Sequence, residues 1–146
     1  MNKPKYEVNY STSDEIYTFT SVGKRGKIKK AVQLYEYQEN TFNLGFGDLD
    51  PLTEEIDDKS KSGNGDTEMV VATVIGIVFD FLRRNPIANI SFEGNSESRN
   101  RLYQMALNIY YEEFIDHLEI FGSIDGNLEI YQKHKKYESF LIRKLL

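Results

Sequence analysis

One apolar stretch, Met69 to Leu82, constrains the fold of this chain more than any other feature. The segment Asp66-Thr67-Glu68 before it supplies N-cap residues and an acidic side chain that the helix dipole favours. The segment Arg83-Arg84-Asn85-Pro86 after it places two cations in a last helical turn and then a proline stop. Length and both end signals therefore predict a helix, although the many β-branched residues are also compatible with a strand.

This helix is apolar on nearly every face, which predicts that it is buried at the centre of a core. Gly76 lies in its interior, where glycine is less favourable than alanine by about 1 kcal/mol. We therefore expect the backbone of another segment to approach the helix closely at Gly76.

Alternating or β-branched segments on both sides of the helix predict the strands. Before the helix, strands are predicted at 6–10, 16–22, 28–37 and 42–46, with the second and third joined at Gly23-Lys24-Arg25-Gly26. After it come a strand at 90–92, a second helix from Glu97 to Leu118, a strand at 119–124, an Asp125-Gly126 hairpin turn and a strand at 128–131. The segment 137–145 suits a strand or a helix, and a strand is favoured.

These elements predict one α+β domain covering residues 1–146. Its antiparallel-dominated sheet has about 7–8 strands in the order β-β-β-β-α-β-α-β-β and packs against two helices, of which the first is buried.

The negative charge of the chain is concentrated in one polar segment, residues 47–66, which is predicted to be a long acidic loop. Residues 47–68 carry eight acidic and two basic side chains, whereas the whole chain has a net charge of −5. Clustered carboxylates can bind Mg²⁺ or Ca²⁺. The spacing does not fit a calcium-binding loop, and a solvated loop is the favoured interpretation.

Composition excludes several classes of function. The chain has no cysteine, which rules out disulfides, zinc-thiolate sites and a cysteine nucleophile. It has two histidines, His117 and His134, and neither lies in a nucleophile-elbow pattern. Its longest apolar stretch is about half of the roughly 20 residues that a membrane span needs. The N-terminal residues lack the apolar core of a signal peptide, so we expect a cytoplasmic protein. Because no catalytic motif or metal-ligand spacing is recognised, we expect no catalytic residues, no cofactor and no bound metal.

A basic hairpin tip, residues 23–30, is the first candidate site. Its eight residues contain two glycines, Gly23 and Gly26, and five cations: Lys24, Arg25, Lys27, Lys29 and Lys30. Clustered cations and exposed backbone N–H groups suit a phosphate or a nucleic acid backbone. The structural alternative is that lysines on an exposed edge strand prevent pairing with other chains.

The start of the second helix is the other candidate anion site. Small residues at the end of a strand, including Asn95 and Ser96, present unpaired N–H groups to an anion. Arg99 and Arg101 in the first turn are unfavourable to the helix dipole unless a negative group is near. A plain N-cap is the structural alternative.

Three short patterns resemble a family of small uncharacterised bacterial proteins found mainly in Bacteroidetes. They are Gly23-x-x-Gly26-x-Ile28-x-Lys30, Gly65-Asp66 before the first helix, and Gly94-x-Ser96-x-x-Arg99-x-x-Leu102-Tyr103. The resemblance covers nearly the whole chain. It implies a bacterial cytoplasmic protein and no particular activity.

The order of elements from the second strand onward is also similar to the core of the GCN5-related N-acetyltransferases. In that family a glycine loop before the first of these helices binds the pyrophosphate of acyl-CoA, and here Ser60 to Gly65 corresponds to it. The resemblance implies that Tyr103 is the acid that protonates the departing thiolate. Ser60 stands where the family has Gln or Arg, and the opening helices of the family are absent.

Together these observations favour a non-catalytic module that binds a protein partner or an anionic ligand. Such binding would use the hairpin tip and the start of the second helix, with nucleic acid as a weakly supported ligand and no membrane association. The alternatives are an acyltransferase-like enzyme that uses acetyl-CoA, and one component of a toxin–antitoxin or defence pair that uses the acidic loop.

Overall fold

The computed structural model describes residues 4–11, 16–57, 63–94 and 96–145. Within them lie nine strands and three helices. The strands are β1 (Asn9–Ser11), β2 (Ile16–Gly23), β3 (Gly26–Gln38), β4 (Thr41–Leu49), β5 (Ile56–Asp57), β6 (Asn89–Phe92), β7 (Leu118–Ile124), β8 (Asn127–Ile130) and β9 (Ser139–Lys144). The helices are α1 (Thr67–Arg84), α2 (Glu97–Ile109) and α3 (Tyr111–Phe114).

One sheet contains these strands in the order β1-β2-β3-β4-β6-β9-β7-β8, with β5 paired to β4. The pairings of β1 with β2, β2 with β3, β6 with β9 and β7 with both β8 and β9 are antiparallel. The pairing of β4 with β6 is parallel and short, and joins Thr41–Asn43 to Asn89–Ser91. The predicted α+β class and the antiparallel-dominated sheet are thus confirmed.

The buried first helix is also confirmed, since side chains on nearly all sides of α1 are buried between Val70 and Leu82. The close backbone approach expected at Gly76 is wrong. A Cβ built there would lie 3.6 Å from the side chain of Lys5, an ordinary contact distance.

The chain forms two compact units, each made of two segments. Unit 1 contains Met1–Tyr35 and Leu44–Asp80, and unit 2 contains Glu36–Asn43 and Phe81–Leu146. In unit 1, alternate residues of β2 are buried, and the ring of Phe19 stacks between those of Tyr6 and Phe46. In unit 2, the ring of Phe92 stacks on Phe140 of the neighbouring strand and meets Tyr103 of α2 edge-on.

Two predicted boundaries differ from the structure, and one segment left ambiguous by the sequence is resolved by it. The first strand begins at Asn9 and not at Tyr6, because the backbone N–H of Tyr6 donates to Thr73 Oγ1 of α1 at 2.9 Å. The second helix is divided at Tyr110, where the backbone leaves helical geometry before the single turn of α3. The ambiguous segment 137–145 contains strand β9, as favoured.

The acidic segment 47–66 is more ordered at its beginning than expected. Strand β4 continues to Leu49, and β5 pairs back on it through Asp48–Leu49. The carboxylate of Asp50 accepts hydrogen bonds from the backbone N–H groups of Leu52 and Thr53 at 2.8 and 3.1 Å. Part of the predicted loop is therefore a tight turn between two strands.

Candidate functional site

The basic hairpin tip joins β2 to β3 in unit 1. Register pairing of Gly23 with Gly26 leaves Lys24 and Arg25 as the two turn residues. Lys27 and Lys29 follow on one face of β3 and are exposed, as are Lys24 and Arg25. Lys30 points to the opposite face, where it is buried and forms a 2.6 Å ion pair with Asp48.

The four predicted cations of the tip thus remain at the surface. No ion pair with a carboxylate is seen for Lys24, Arg25, Lys27 or Lys29 among the described residues. β3 lies between β2 and β4 in the sheet, but β4 ends at Leu49, beside the Lys30–Asp48 ion pair, so protection of an exposed edge stays the alternative explanation for Lys27 and Lys29.

Asn64 fixes the backbone of the hairpin tip, a role that the sequence analysis missed. Its side-chain amide donates to Ser21 Oγ at 2.9 Å and to the carbonyl of Gly26 at 3.0 Å. Its side-chain oxygen accepts from the N–H of Arg25 at 2.7 Å, and its backbone carbonyl accepts from the N–H of Lys24 at 3.2 Å. Asn64 is only 4% exposed, so these bonds form away from competing water.

The backbone of Asn64 approaches β2 so closely that position 23 must be a glycine. A Cβ at Gly23 would lie 1.9 Å from the carbonyl oxygen of Asn64, a distance that no side chain tolerates. The glycine at this end of the predicted hairpin therefore serves the approach of the 63–66 segment as well as the turn.

Asp66 anchors the same segment at the start of α1. Its Oδ2 accepts hydrogen bonds from Tyr6 Oη at 2.5 Å and from Ser21 Oγ. Burial and this bond to the carboxylate together raise the pKa of Tyr6. Three separate stretches of sequence thus meet at one polar cluster, formed by Tyr6, Ser21, Asn64 and Asp66, which supports the tip from inside.

The predicted anion site at the start of α2 lies in unit 2. Ser96 is the N-cap, and its hydroxyl accepts from the N–H of Arg99 at 3.2 Å. The N–H of Gly94 donates to Asn100 Oδ1 at 3.1 Å. Asn95 lies outside the described residues, Arg99 is half-buried and Arg101 is exposed. Two donors of this turn therefore have partners within the protein.

The sequence also contains a second basic run, Lys133-His134-Lys135-Lys136, and it differs from the hairpin tip because each of its lysines has a partner. Lys133 lies over the ring of Tyr111 at 5.9 Å, Lys135 pairs with Glu129 at 2.8 Å, and Lys136 lies 3.4 Å from Glu97. The hydrogen bonds from Lys135 and Tyr137 lower the pKa of the Glu129 carboxyl from its usual value. Lys133 and Lys136 are nevertheless exposed, and only Lys135 is half-buried, so what distinguishes this run from the tip is its contacts within unit 2 and not its burial.

Among residues 4–11, 16–57, 63–94 and 96–145, no cluster of three or more acidic or histidine side chains is arranged to hold a metal ion. Tyr103 is 8% exposed and packs on Phe92. None of the helices in the described part of the chain combines the length and hydropathy needed to cross a membrane.

The geometry defines a small α+β protein whose basic hairpin is fixed to the segment before a buried helix. Residues 2–145 match the family of unknown function DUF6934, and the chain belongs to that family. The match confirms that the chain resembles an uncharacterised family over nearly its whole length. Comparison with curated proteins and with solved structures gives no significant match.

Proposed function

We propose that this protein is a bacterial, cytoplasmic binding module that engages a phosphate-bearing polyanion through its basic hairpin tip. The observation that carries the proposal is the contrast between the two basic runs. Each lysine of residues 133–136 contacts a carboxylate or an aromatic ring of unit 2, whereas among the described residues no carboxylate pairs with the four outer cations of the tip, whose backbone is held by Asn64.

A fixed backbone matters because binding a charged ligand with mobile side chains costs conformational entropy. Here only the side chains of the tip must be ordered on binding, since the turn itself is already fixed. The backbone N–H groups of Lys24 and Arg25 donate to Asn64, so the ligand would contact side chains and not these amides. The net charge of −5 opposes polyanion binding, and we expect a Kd on the order of 10–100 µM at moderate salt.

The first prediction compares two double substitutions that each remove two positive charges. Lys24→Ala with Lys27→Ala should weaken binding of a fluorescently labelled 20-base-pair DNA by tenfold or more. It should also reduce the salt dependence, because each lost phosphate contact lowers the slope of log K against log salt by about 0.9. Fluorescence anisotropy at several salt concentrations measures both quantities.

The matched control is Lys133→Ala with Lys136→Ala, which should leave affinity within about twofold because those cations are partnered in unit 2. Equal losses in both variants would show that only overall charge matters, and would contradict a site at the tip. Absence of any binding by the unmodified protein would remove the proposal. The candidate anion site at the start of α2 is tested separately: if it also binds the DNA, Arg99→Ala with Arg101→Ala should weaken binding and reduce its salt dependence.

An acyltransferase-like activity is the second candidate function. It is supported by the order of elements, since the strand meander, α1, β6, α2 and the β7–β8 hairpin follow one another as in the resemblance noted above. Gly63 and Gly65 both have positive φ, as glycines in a phosphate-binding loop often do. Ser60 lies outside the described residues, and the carbonyl and side chain of Asn64 are engaged by the hairpin.

The second prediction tests this candidate by thermal unfolding with 1 mM acetyl-CoA. A ligand present at 100 times its Kd stabilises a protein by about 2.7 kcal/mol, which shifts the midpoint of a chain of this size by about 5–10 °C. Tyr103→Phe should keep that shift if the hydroxyl acts in the reaction and not in binding. If neither acetyl-CoA nor coenzyme A raises the midpoint of thermal unfolding, this function is discarded.

A further inference from the structure

The face of β3 that carries Lys27 and Lys29 continues beyond the hairpin tip as an exposed surface of unit 1. Side chains alternate along a strand, so Tyr35 lies on the same face as both lysines, and it is 63% exposed. Tyr35 follows Lys29 by six residues, which corresponds to about 20 Å along the strand. This surface, the odd-numbered residues 27–35, is called the β3 track, and it has cations at one end and an exposed aromatic ring at the other.

The opposite face of the same strands packs inside unit 1. Tyr17 of β2 is buried there, and its hydroxyl donates to Asp80 of α1 at 3.3 Å. Lys30 of β3 and Asp48 of β4 form their ion pair on this inner face. The odd-numbered residues of β3 and β4 therefore face away from α1.

The outer face around the β3 track carries no carboxylate. Its strand positions are the even numbers of 16–22 in β2, the odd numbers of 27–35 in β3 and the odd numbers of 45–49 in β4. These positions hold Ile, Thr, Val, Lys, Ala, Gln, Tyr, Gly or Leu, so Lys27 and Lys29 are the charged residues among them. The local charge is thus opposite in sign to the net charge of −5, and it complements a phosphate backbone.

Gly45 keeps the surface low beside the middle of the track. In the described part of the chain, the nearest atom to a Cβ built there is the carbonyl oxygen of Gln33, at 3.9 Å, and the φ of Gly45 is not positive. Neither packing nor backbone conformation therefore requires a glycine at this position. A glycine inside a strand weakens the strand, and it often marks a place where a ligand approaches the backbone.

We infer that the β3 track binds single-stranded nucleic acid, an inference that rests on the function proposed above and names its ligand. Phosphates contact Lys27 and Lys29, the strand passes over Gly45, and one base stacks on the ring of Tyr35. Cations alone would bind a duplex at least as well, because a duplex has the higher density of phosphates. The faces of paired bases are covered by their neighbours, whereas an unpaired base offers a free face to an aromatic ring.

Three DNA ligands of 20 nucleotides separate stacking from charge. They are a labelled single strand of mixed sequence, the same strand in a duplex, and an abasic strand that keeps the phosphates without the bases. In fluorescence anisotropy at one salt concentration, the single strand should bind at least fivefold more tightly than either of the others. A factor of about five is the lower end of what one stack between a base and an aromatic ring contributes.

Variants of the track assign a role to each part. Tyr35→Thr keeps a good strand former and should weaken single-strand binding at least fivefold without changing the slope of log K against log salt. Lys27→Ala with Lys29→Ala should reduce that slope by about 1.4, since each phosphate contact of a single strand contributes about 0.7. Gly45→Ile should weaken single-strand binding at least fivefold by raising the surface, with an unchanged circular dichroism spectrum. Leu128→Thr removes a 56% exposed side chain of unit 2 and should change nothing.

A fluorescent reporter tests the stacking contact directly. The chain has no tryptophan, so Tyr35→Trp introduces a single one at the position where the base stacks. Its emission should be quenched by the single strand and not by the abasic strand, because quenching needs contact with a base. The control Leu128→Trp should keep its emission with all three ligands.

Separate outcomes overturn this inference and the function on which it rests. Duplex binding as tight as single-strand binding, or unchanged single-strand affinity in Tyr35→Thr, would reject the stacking track and leave the hairpin tip as a polyanion site. A Tyr35→Trp variant that binds the single strand without quenching would also reject it, since the bases would then lie elsewhere. Failure of all three ligands to bind would reject both proposals together.

Discussion

Replacing Gly122 with alanine is expected to destabilise the protein by roughly 3 kcal/mol, at the upper end of what an added methyl group costs in a packed core. Gly122 lies in β7, and a Cβ there would come within 2.3 Å of the ring of Tyr137. Tyr137 is 1% exposed. The ring therefore has no open space into which it can retreat.

Hydrogen bonds at both ends of Tyr137 prevent a small shift from relieving this contact. Its hydroxyl donates to Glu129 Oε2 at 2.8 Å and accepts from the N–H of Gln132 at 3.0 Å. Its backbone carbonyl accepts from the side chain of Asn100 at 2.8 Å. Moving the ring by the needed distance would break at least one of these bonds.

Urea unfolding followed by circular dichroism measures the loss. The matched control is Gly45→Ala in β4, where the nearest atom to a new Cβ lies 3.9 Å away, and this change should alter stability by less than about 0.5 kcal/mol. Adding Tyr137→Ala to Gly122→Ala should make the two losses clearly less than additive, because the ring that causes the clash is gone. Equal stability of the two glycine variants would contradict the described packing.

Replacing Asn64 with alanine should cost about 3 kcal/mol as well, but for the opposite reason. The change removes three side-chain hydrogen bonds and leaves the N–H of Arg25 and the carbonyl of Gly26 without that partner. Two of these bonds are partly buried and the one to Ser21 Oγ is buried, and each contributes about 1 kcal/mol. Asn43→Ala, at an exposed position of β4, is the control and should have little effect.

Hydrogen exchange distinguishes a loosened hairpin from general destabilisation. In Asn64→Ala the amide of Arg25 loses its acceptor, and that of Lys24 keeps a backbone acceptor on a segment that is no longer held to Ser21 and Gly26, so both should exchange faster than expected from the loss of global stability and Arg25 by the larger factor. If the hairpin tip binds DNA, the same variant should also lose affinity although every lysine is retained. Unchanged exchange at both amides would contradict the role assigned to Asn64.

Local patterns predicted most of the elements correctly because the forces that form them act over a few residues. The capped apolar stretch gave α1, and the Asp125-Gly126 pair gave a hairpin in which both residues have positive φ. The pattern failed at Tyr6, whose alternation with Val8 and Tyr10 predicted a strand. Its N–H donates to Thr73, 67 residues away, and no local rule contains that contact.

The candidate site was predictable only in part. The cations of the hairpin tip were visible in the sequence, but so were those of residues 133–136, and composition treats the two runs alike. Only the fold shows which residues contact the lysines of the second run, namely Tyr111, Glu129 and Glu97. The Gly63-Asn64-Gly65 segment was recognised, but as a phosphate-binding loop and not as the support of a hairpin.

The sequence by itself determined the elements of this protein: which segments are helical, which are extended, and where the turns and the surface cations lie. Helix caps, side-chain periodicity and turn residues act between near neighbours, so a linear pattern records them. Only the tertiary structure decided which cations lie without a carboxylate partner in the described part of the chain, which glycines another segment approaches, and that Asn64 holds the hairpin. Those outcomes depend on distances between residues far apart in the chain, and these distances are set by the packing of the whole fold.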